Sequence, residues 1–405
     1  MPNLKSIGLQ YCDISGVIPE WIGDLTQLTS LGLGNNNLQG QVPSSIQKLN
    51  RLKLLALDGN TGLTGNINDL LGTMSNLQFL YLNDNAFGGE IDMDGLMKKW
   101  PKMLELDLSK NMLGGHIPAS LMNHPNLMVV DLHQNLFDGL FPEDIFENIH
   151  LEFLDIHGNL IGGSIADRLG FVKNLKHLDV SINHLEGTIP DTLGMLVDLV
   201  YLNTAHNNFA EQPIPDLSKL INLKYLIMQS NKLQGTIPHW IGNFNNLRML
   251  DLGWNELHGS IPWWIGMMEN LHYLLLNRNQ LTGALPSQMT AMKVLDVFLI
   301  ASNHIRGNAW AICNAPSANP SHFVSDCYPG HPGSPREFQC SCCTKCCLEG
   351  DDSCNTSPWI PNLDPVWEYG YVRNAYHFDV RNAPEMVAKT NGGVTAEQIM
   401  PDPIP

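Results

Sequence analysis

A short segment repeats itself through most of this 405-residue chain. Residues 174–197, NLKHLDVSINHLEGTIPDTLGMLV, read as LxxLxLxxN followed by xLxGxIPxxLGxLx. The first half alternates apolar and polar residues, which predicts a strand with one buried face. Gly187 and Pro190 interrupt the second half, so the return path must use short strands, turns or 3₁₀ segments rather than a long helix. Because one copy cannot bury its apolar face, it must stack on neighbouring copies.

The asparagine of this unit recurs along the chain at nearly constant intervals. It stands at Asn36, Asn60, Asn85, Asn111, Asn135, Asn159, Asn183, Asn207, Asn231, Asn255, Asn279 and Asn303, with Cys12 in the same register before them. The intervals are 24 residues, except for 25 and 26 on the two sides of Asn85. An asparagine amide can satisfy backbone groups inside a turn. We therefore expect a structural asparagine ladder, with Cys12 as a small buried thiol in the first position.

These 13 in-register copies resemble a leucine-rich repeat protein. The GxIPxxLGxL half is similar to the plant-type subclass of receptor-like kinases and cell-wall enzyme inhibitors. The resemblance covers residues 1–303 and implies an α/β repeat solenoid, a horseshoe or superhelix. Its parallel β-sheet would form the concave face, and irregular segments with 3₁₀ turns would form the convex face. The opening Pro2-Asn3-Leu4 matches the junction at residues 125–127, so we expect an array truncated at its N-terminus, without its upstream cap or signal peptide.

Charge and motifs narrow the classes of function. The net charge of −17 argues against DNA or RNA as a partner, because phosphate recognition needs a clustered basic surface. The chain has no run of 18 apolar residues, so we expect no membrane span in it. It also has no HExxH, GxSxG, P-loop or kinase motif. We therefore predict a non-catalytic protein with no cofactor and no metal.

The concave face is defined here as the side chains that alternate with the core leucines along the strands, together with those just after each strand. The first row is Phe79, Phe153, His177, Tyr201, Tyr225, Met249 and Tyr273. The second row is Asp107, Asp131, Asp155, Asp179, Asn203, Ile227 and Asp251. The third row includes His133, His157, Ala205 and Gln229, flanked by His206, Trp254 and Arg278. Neighbouring side chains in one row should stand about 4.8 Å apart.

Exposed aromatic side chains beside hydrogen-bonding groups suit a binding surface. We predict that a protein, peptide or glycan ligand contacts this face, with Tyr201 and Tyr225 as solvent-facing anchors. The predicted ligand-binding residues are His133, Phe153, His157, His177, Asp179, Tyr201, His206, Tyr225, Met249, Asp251, Trp254, Tyr273 and Arg278. The alternative is that tyrosine and phenylalanine are simply favourable strand residues.

The row of aspartates also admits an enzymatic interpretation. Carboxylates on adjacent strands would lie near the separation of about 5 Å found in retaining glycosidases. However, four successive similar acids do not provide one acid and one base in distinct environments. An aspartate between the strand leucines, as in the sequence LDLS, is ordinary in leucine-rich repeats, where it is structural. We therefore favour a structural ladder over catalysis.

A cysteine cluster follows the repeats. Its members are Cys313, Cys327, Cys340, Cys342, Cys343, Cys346, Cys347 and Cys354. Such density predicts disulfides in an oxidising compartment, with a zinc site built around Cys343-x₂-Cys346 as the alternative. The CSCCTKCC block is similar to that of diatom and other stramenopile leucine-rich repeat proteins. We expect a cysteine-rich C-terminal cap over residues 304–357, a glycosylation site at Asn355, and an aromatic then proline-bearing tail, partly disordered, over 358–405.

Together these features predict an extracellular or cell-surface recognition module, the ectodomain or soluble relative of a receptor-like protein. Any anchor would then belong to sequence missing from this chain. A co-receptor or kinase on another chain is an expected partner. Two alternatives stay open at this point: a secreted inhibitor of cell-wall-degrading hydrolases, and a structural or adhesive coat protein.

Overall fold

A computed structural model describes residues 3–71, 73–143, 150–314, 320–327 and 338–347. The described chain forms two compact units, residues 3–87 and residues 88–347. Both units repeat one pattern, in which a main strand of two to four residues is followed by a turn, a short lateral strand and a short helix or loop. Fifteen strands of the main sheet occur in the described residues, four in the first unit and eleven in the second.

The first unit carries four parallel main strands in chain order. They are β1 (Ser6–Gly8), β2 (Ser30–Gly32), β3 (Leu54–Ala56) and β4 (Phe79–Tyr81). Its lateral strands are Ser15–Gly16, Asn37–Gln41 and Gly62–Thr64. Its helices are the 3₁₀ segments Glu20–Asp24 and Ser44–Lys48 and the α-helix α1 (Ile67–Leu71).

The second unit carries eleven parallel main strands, again in chain order. The first six are β5 (Glu105–Asp107), β6 (Val129–Asp131), β7 (Phe153–Asp155), β8 (His177–Asp179), β9 (Tyr201–Asn203) and β10 (Tyr225–Ile227). The last five are β11 (Met249–Asp251), β12 (Tyr273–Leu275), β13 (Val297–Leu299), β14 (His322–Ser325) and β15 (Lys345–Cys346). Equivalent residues of successive repeats face each other, as Tyr201 and Tyr225 do.

Short elements complete the second unit. The lateral strands are Gly88–Glu90, Met112–His116, Leu136–Asp138, Gly162–Ser164, His184–Glu186, Gln212–Pro213, Leu233–Gly235, Glu256–Ser260, Gln280–Gly283, His304–Ile305, Gly307–Asn308 and Phe338–Gln339. The 3₁₀ helices are Asp167–Phe171, Asp191–Met195, His239–Asn243, Trp263–Met267 and Ser287–Ala291. The α-helices are α2 (Met93–Lys99), α3 (Ala119–Met122) and α4 (Trp310–Cys313). None of the described helices is long and apolar enough to cross a membrane.

The 3₁₀ segments follow from the proline and glycine of the repeat. Pro190, at φ −74° and ψ 138°, precedes the 3₁₀ helix Asp191–Met195 and fixes its entry. A side chain at Gly194 would place its Cβ 2.4 Å from the carbonyl oxygen of Asp216, so only glycine lets the next repeat approach. The apolar positions of the same repeat, including Leu178 and Leu193, are fully buried. The predicted solenoid with a parallel sheet and 3₁₀ return segments is confirmed.

The asparagine ladder has the predicted structural role. The amide nitrogen of Asn183 donates to the carbonyl oxygens of Ile156 at 3.0 Å, Val180 at 3.3 Å and Ser181 at 3.0 Å. Its Oδ1 accepts from the backbone N–H of Ile161 at 3.0 Å. One buried side chain therefore satisfies four backbone groups and connects adjacent repeats.

The expectation of a buried Cys12 is wrong, because this thiol is exposed. Its sulfur donates to the carbonyl oxygen of Gln10 at 3.3 Å, and its backbone N–H donates to Asn36 Oδ1 at 3.0 Å. The thiol therefore reproduces only one of the three bonds that an asparagine amide makes in this turn. Among the described residues, this turn is covered by a repeat on one side only.

The cysteine segment extends the sheet and is crosslinked. Strand β14 pairs with β13, and β15 pairs with β14, so two further strands continue the repeat pattern beyond residue 303. The disulfides are Cys313–Cys342, Cys327–Cys346 and Cys340–Cys343, and Cys347 is also disulfide-bonded. Disulfides, rather than zinc, are therefore the state of these cysteines. Cys354 and the predicted glycosylation site at Asn355 lie outside the described residues.

Candidate functional site on the concave face of the second unit

The first row of the concave face is a stack of rings. The ring centroids of Phe153 and His177 lie 4.1 Å apart, and those of His177 and Tyr201 lie 4.3 Å apart, with interplanar angles of 14° and 9°. Tyr201 and Tyr225 follow at 5.8 Å in a tilted arrangement. Strands β7 to β10 bring these residues into register, so each flat ring covers the next.

The prediction that Tyr201 and Tyr225 face solvent is therefore wrong. Tyr201 is 8% exposed and Tyr225 is 7% exposed. Phe153, His177 and Met249 of the same row are buried as well. The residues do lie on the concave face, but in-register stacking leaves little more than their edges accessible.

The second and third rows form paired acid and imidazole groups. His133 Nδ1 lies 2.6 Å from Asp131 Oδ1, and His157 Nδ1 lies 2.8 Å from Asp155 Oδ1. The two imidazole rings are parallel, with centroids 4.6 Å apart and an interplanar angle of 8°. All four residues are buried. Because a carboxylate can only accept, each Nδ1 carries the proton that it donates to the aspartate two residues earlier.

Asp179 is the centre of a second buried group. Its Oδ2 accepts from the hydroxyl of Tyr201 at 3.1 Å and from the amide of Asn203 at 2.9 Å. Its Oδ1 accepts from the hydroxyl of Ser181 at 2.6 Å and from the backbone N–H of Ser181 at 2.9 Å. The predicted binding residues Tyr201 and Asp179 are thus partners of each other, and this contact fixes the orientation of the tyrosine ring.

The aspartates have different environments, which corrects the expectation of four equivalent acids. Burial raises the pKa of Asp107 well above its usual range. Burial, together with the neighbouring Asp155, raises the pKa of Asp179 to about 6. Burial also acts to raise the pKa of Asp155, but the imidazoles of His157, His133 and His177 outweigh it and hold that pKa well below its usual range.

The imidazoles differ as well. Burial lowers the pKa of His177 to about 3. Burial also acts to lower the pKa of His133, but the carboxylates of Asp131 and Asp155 overcome it and raise that pKa to about 8. Neutral His177 and charged His133 therefore coexist on one face near neutral pH.

Two buried groups have donor atoms close enough to be tested as metal ligands. In His133, Asp155 and His157, and in Asp155, His177 and Asp179, the donor atoms lie within 4.8 Å of one another. A metal ion sits in the plane of the imidazole that binds it, and two parallel rings 4.6 Å apart do not direct their lone pairs at one point. In the second group, both oxygens of Asp179 already accept hydrogen bonds. The arrangement fits a hydrogen-bonded ionic network rather than a metal centre.

Other predicted residues are accessible at the edge of the face. Trp254 is 42% exposed, and the guanidinium carbon of Arg278 lies 4.1 Å from the centre of its ring. Tyr273 is half-buried and His206 is exposed, with His206 Nε2 3.2 Å from the amide nitrogen of Gln229. Trp254, Arg278 and His206 share a left-handed backbone conformation, with φ of 55°, 55° and 52°. They occupy the turn position before the ladder asparagine, where side chains are not covered by the stacked rows of the concave face.

The structure thus separates the predicted site into two sets. The accessible set, named the exposed rim, is His206, Trp254, Tyr273 and Arg278. The buried set is His133, Phe153, His157, His177, Asp179, Tyr201, Tyr225, Met249 and Asp251.

Sequence reasoning omitted Asp131, Asp155 and Asn203 from the predicted site, although the buried network includes them. The Asp-x-His spacing of Asp131 with His133 and of Asp155 with His157 was the available signal. In a strand this spacing places both side chains on one face.

Stacked parallel strands, asparagine ladders and 3₁₀ return segments define a leucine-rich repeat solenoid. Leucine-rich repeat family profiles match residues 2–61 and, separately, residues 174–196, 222–244 and 246–268. Neither match includes the cysteine block. A sequence search of curated proteins found no match.

Solved structures extend the comparison. The chain is similar to the structure of PEPR1-AtPEP1, with TM-score 0.73 and 30% identity over 78% of this chain and 44% of that one. A TDR receptor has TM-score 0.72 and 29% identity over 78% and 55%. The plant peptide hormone receptor RGFR1 in complex with RGF2 has TM-score 0.63 and 26% identity over 79% and 62%. The chain therefore spans less than two thirds of each of these relatives and shares the fold of receptor ectodomains.

Proposed function

We propose that this protein is a non-catalytic extracellular recognition module that binds a peptide or protein segment along the exposed rim. The observation that carries the proposal is the Trp254–Arg278 pair, in which a tryptophan that is 42% exposed stacks against a guanidinium carbon 4.1 Å from the centre of its ring. Tryptophan and arginine dominate the energetics of protein recognition, because each offers a large contact area and directional hydrogen bonds.

Two further observations support a peptide or protein ligand. The rim residues belong to the repeats of β9, β11 and β12 in one parallel sheet, so an extended segment that crosses these strands could contact several of them at once. The plant peptide hormone receptor RGFR1 has the same fold over most of the present chain. In this proposal a co-receptor or kinase on another chain transmits the binding event.

An extracellular location is part of the proposal. Three disulfides and the disulfide-bonded Cys347 suit an oxidising compartment. The similarity to receptor ectodomains points the same way.

The test is selection of binders from a displayed random-peptide library on the full chain, followed by affinity measurement with Trp254→Ala. We expect the selected peptides to bind this variant at least 10-fold more weakly, because hot-spot tryptophans contribute about 2 kcal/mol or more. Trp263→Ala is the matched control, since Trp263 is 57% exposed but lies on a 3₁₀ helix.

Peptides that bind both variants equally well would show that the binding site lies outside the exposed rim. A parallel assay with cell-wall hydrolases tests the inhibitor hypothesis. Loss of hydrolase activity at stoichiometric amounts of this protein would identify an enzyme, rather than a peptide, as its ligand. Concentration-dependent self-association without any selected binder would instead support a coat protein.

A further inference from the structure

A buried run of ionisable side chains crosses four successive strands of the second unit. Asp107, Asp131, Asp155 and Asp179 face one another in register on β5 to β8. None of the four is more than 9% exposed. Water cannot balance charge at this depth, so any ionised carboxylate in the run must be balanced by a neighbouring side chain.

His133 is the group best placed to supply that balance. Its Nδ1 lies 2.6 Å from Asp131 Oδ1 and 3.9 Å from Asp155 Oδ2, so the positive charge of one protonated imidazole faces carboxylates on two strands. The titratable groups that interact with it are Asp131 at the end of β6, Asp107 on β5, Asp155 on β7, His157 just after β7, and His177 on β8. The parallel ring of His157 opposes a charge on His133, while the carboxylates favour one. Within the described part of the chain, His133 Nε2 makes no hydrogen bond. The protonation state of His133 is therefore determined by these neighbouring groups.

We propose that His133 is a proton-operated clamp, which holds strands β5 to β7 together while it is charged and loosens them when it loses its proton. The contacts of His133 with Asp131 and Asp155 that the clamp uses are already present in the folded structure. Loss of the Nε2 proton leaves the Nδ1–H in place but removes the positive charge that faces Asp131 and Asp155 on adjacent strands at the same time. Mutual repulsion at this burial then favours opening of the central repeats. The proposal does not depend on the ligand or on the exposed rim.

The direction of the pH effect follows from the pKa of His133, which rises from 6.5 to about 8 on folding. Because the folded-state pKa is the higher one, the stabilisation is complete below pH 6.5 and is lost as pH rises through 8. For one such proton, the opening equilibrium constant should increase roughly 20-fold between about pH 6 and pH 9.

The experiment is hydrogen–deuterium exchange of the full chain across this pH range, with each rate corrected for base catalysis of exchange. Peptides that cover β5 to β7 should lose roughly 20-fold protection in the wild-type protein. His133→Gln keeps a donor toward Asp131 but cannot change charge, so its protection should change with pH by much less than the roughly 20-fold of the wild type. His116→Gln is the matched control, because His116 Nδ1 also lies 2.8 Å from a carboxylate, that of Asp138, but in solvent. That variant should keep the wild-type profile.

A second measurement needs no variant. The imidazole resonances of the wild-type protein should include one buried histidine that titrates near pH 8. Wild-type protection that stays constant with pH after correction would overturn the proposal, as would an unchanged pH profile in His133→Gln. If His133→Gln does not fold, the wild-type exchange profile and the imidazole titration decide the question.

Discussion

Replacing Tyr201 by alanine tests whether the aromatic row is a surface or part of the folded framework. The ring is 8% exposed, stacks on His177 at 4.3 Å, and donates from its hydroxyl to Asp179 at 3.1 Å. Truncation of a buried aromatic residue costs about 3 to 5 kcal/mol. The lost hydrogen bond to a buried carboxylate overlaps with this figure rather than adding to it. We expect Tyr201→Ala to lower the free energy of unfolding by about 4 kcal/mol.

Two related variants divide this loss into its causes. Tyr201→Phe retains the stack and removes only the hydroxyl, so it should cost about 1.5 to 3 kcal/mol. Tyr273→Ala, in the same row but half-buried, should cost less than half as much as Tyr201→Ala. Urea denaturation followed by circular dichroism measures all three variants. A loss below about 1 kcal/mol for Tyr201→Ala, or one no larger than that of Tyr273→Ala, would refute the assignment of Tyr201 to the packed framework.

Three further predictions concern the repeat framework. Asn159→Ala removes an amide that donates to three backbone carbonyls at 2.9 to 3.3 Å. We expect urea denaturation to show a free energy of unfolding lower by about 2 to 4 kcal/mol. An unchanged denaturation midpoint would contradict the structural role of the asparagine ladder. Gly170→Ala would place a Cβ 2.2 Å from a backbone oxygen of the next repeat and should lower the melting temperature strongly, whereas Gly162→Ala, with its nearest contact at 3.7 Å, should lower it less. Replacing both Cys327 and Cys346 by serine opens a crosslink with a sequence separation of 19 and should cost about 3 kcal/mol, measured by thermal unfolding under non-reducing conditions.

The repeat alone determined the fold of this protein. A strand pattern, an asparagine and a proline–glycine turn recur with one period, so each copy could bury its leucines only against the next copy. Leu178 and Asn183 were therefore assignable to core and ladder from their place in the period, and the structure has both there. The cysteine density likewise predicted disulfides, because so many thiols in a short segment suit an oxidising compartment.

The sequence also placed the functional candidates on the correct face but not at the correct depth. Period-two alternation assigns Tyr201 to the face opposite the leucines, yet it carries no information about what stands beside it. Solvent exposure depends on the neighbouring strands, where Tyr225 and His177 cover it. By contrast, Trp254 is not covered by the stacked rows of the concave face, because its backbone adopts the left-handed conformation just before the ladder asparagine Asn255.

Only the tertiary structure decided the charge state of the central aspartates. Asp155 and Asp179 are identical residues at identical positions of successive repeats. Their pKa values move in opposite directions because imidazoles face the first, while the second is buried beside the first. Electrostatic energies in a buried site depend on distances of a few ångströms between groups that are about 24 residues apart in sequence. The sequence specifies which groups are present on this face, but their separations, and hence their charges, come from the register of the folded sheet.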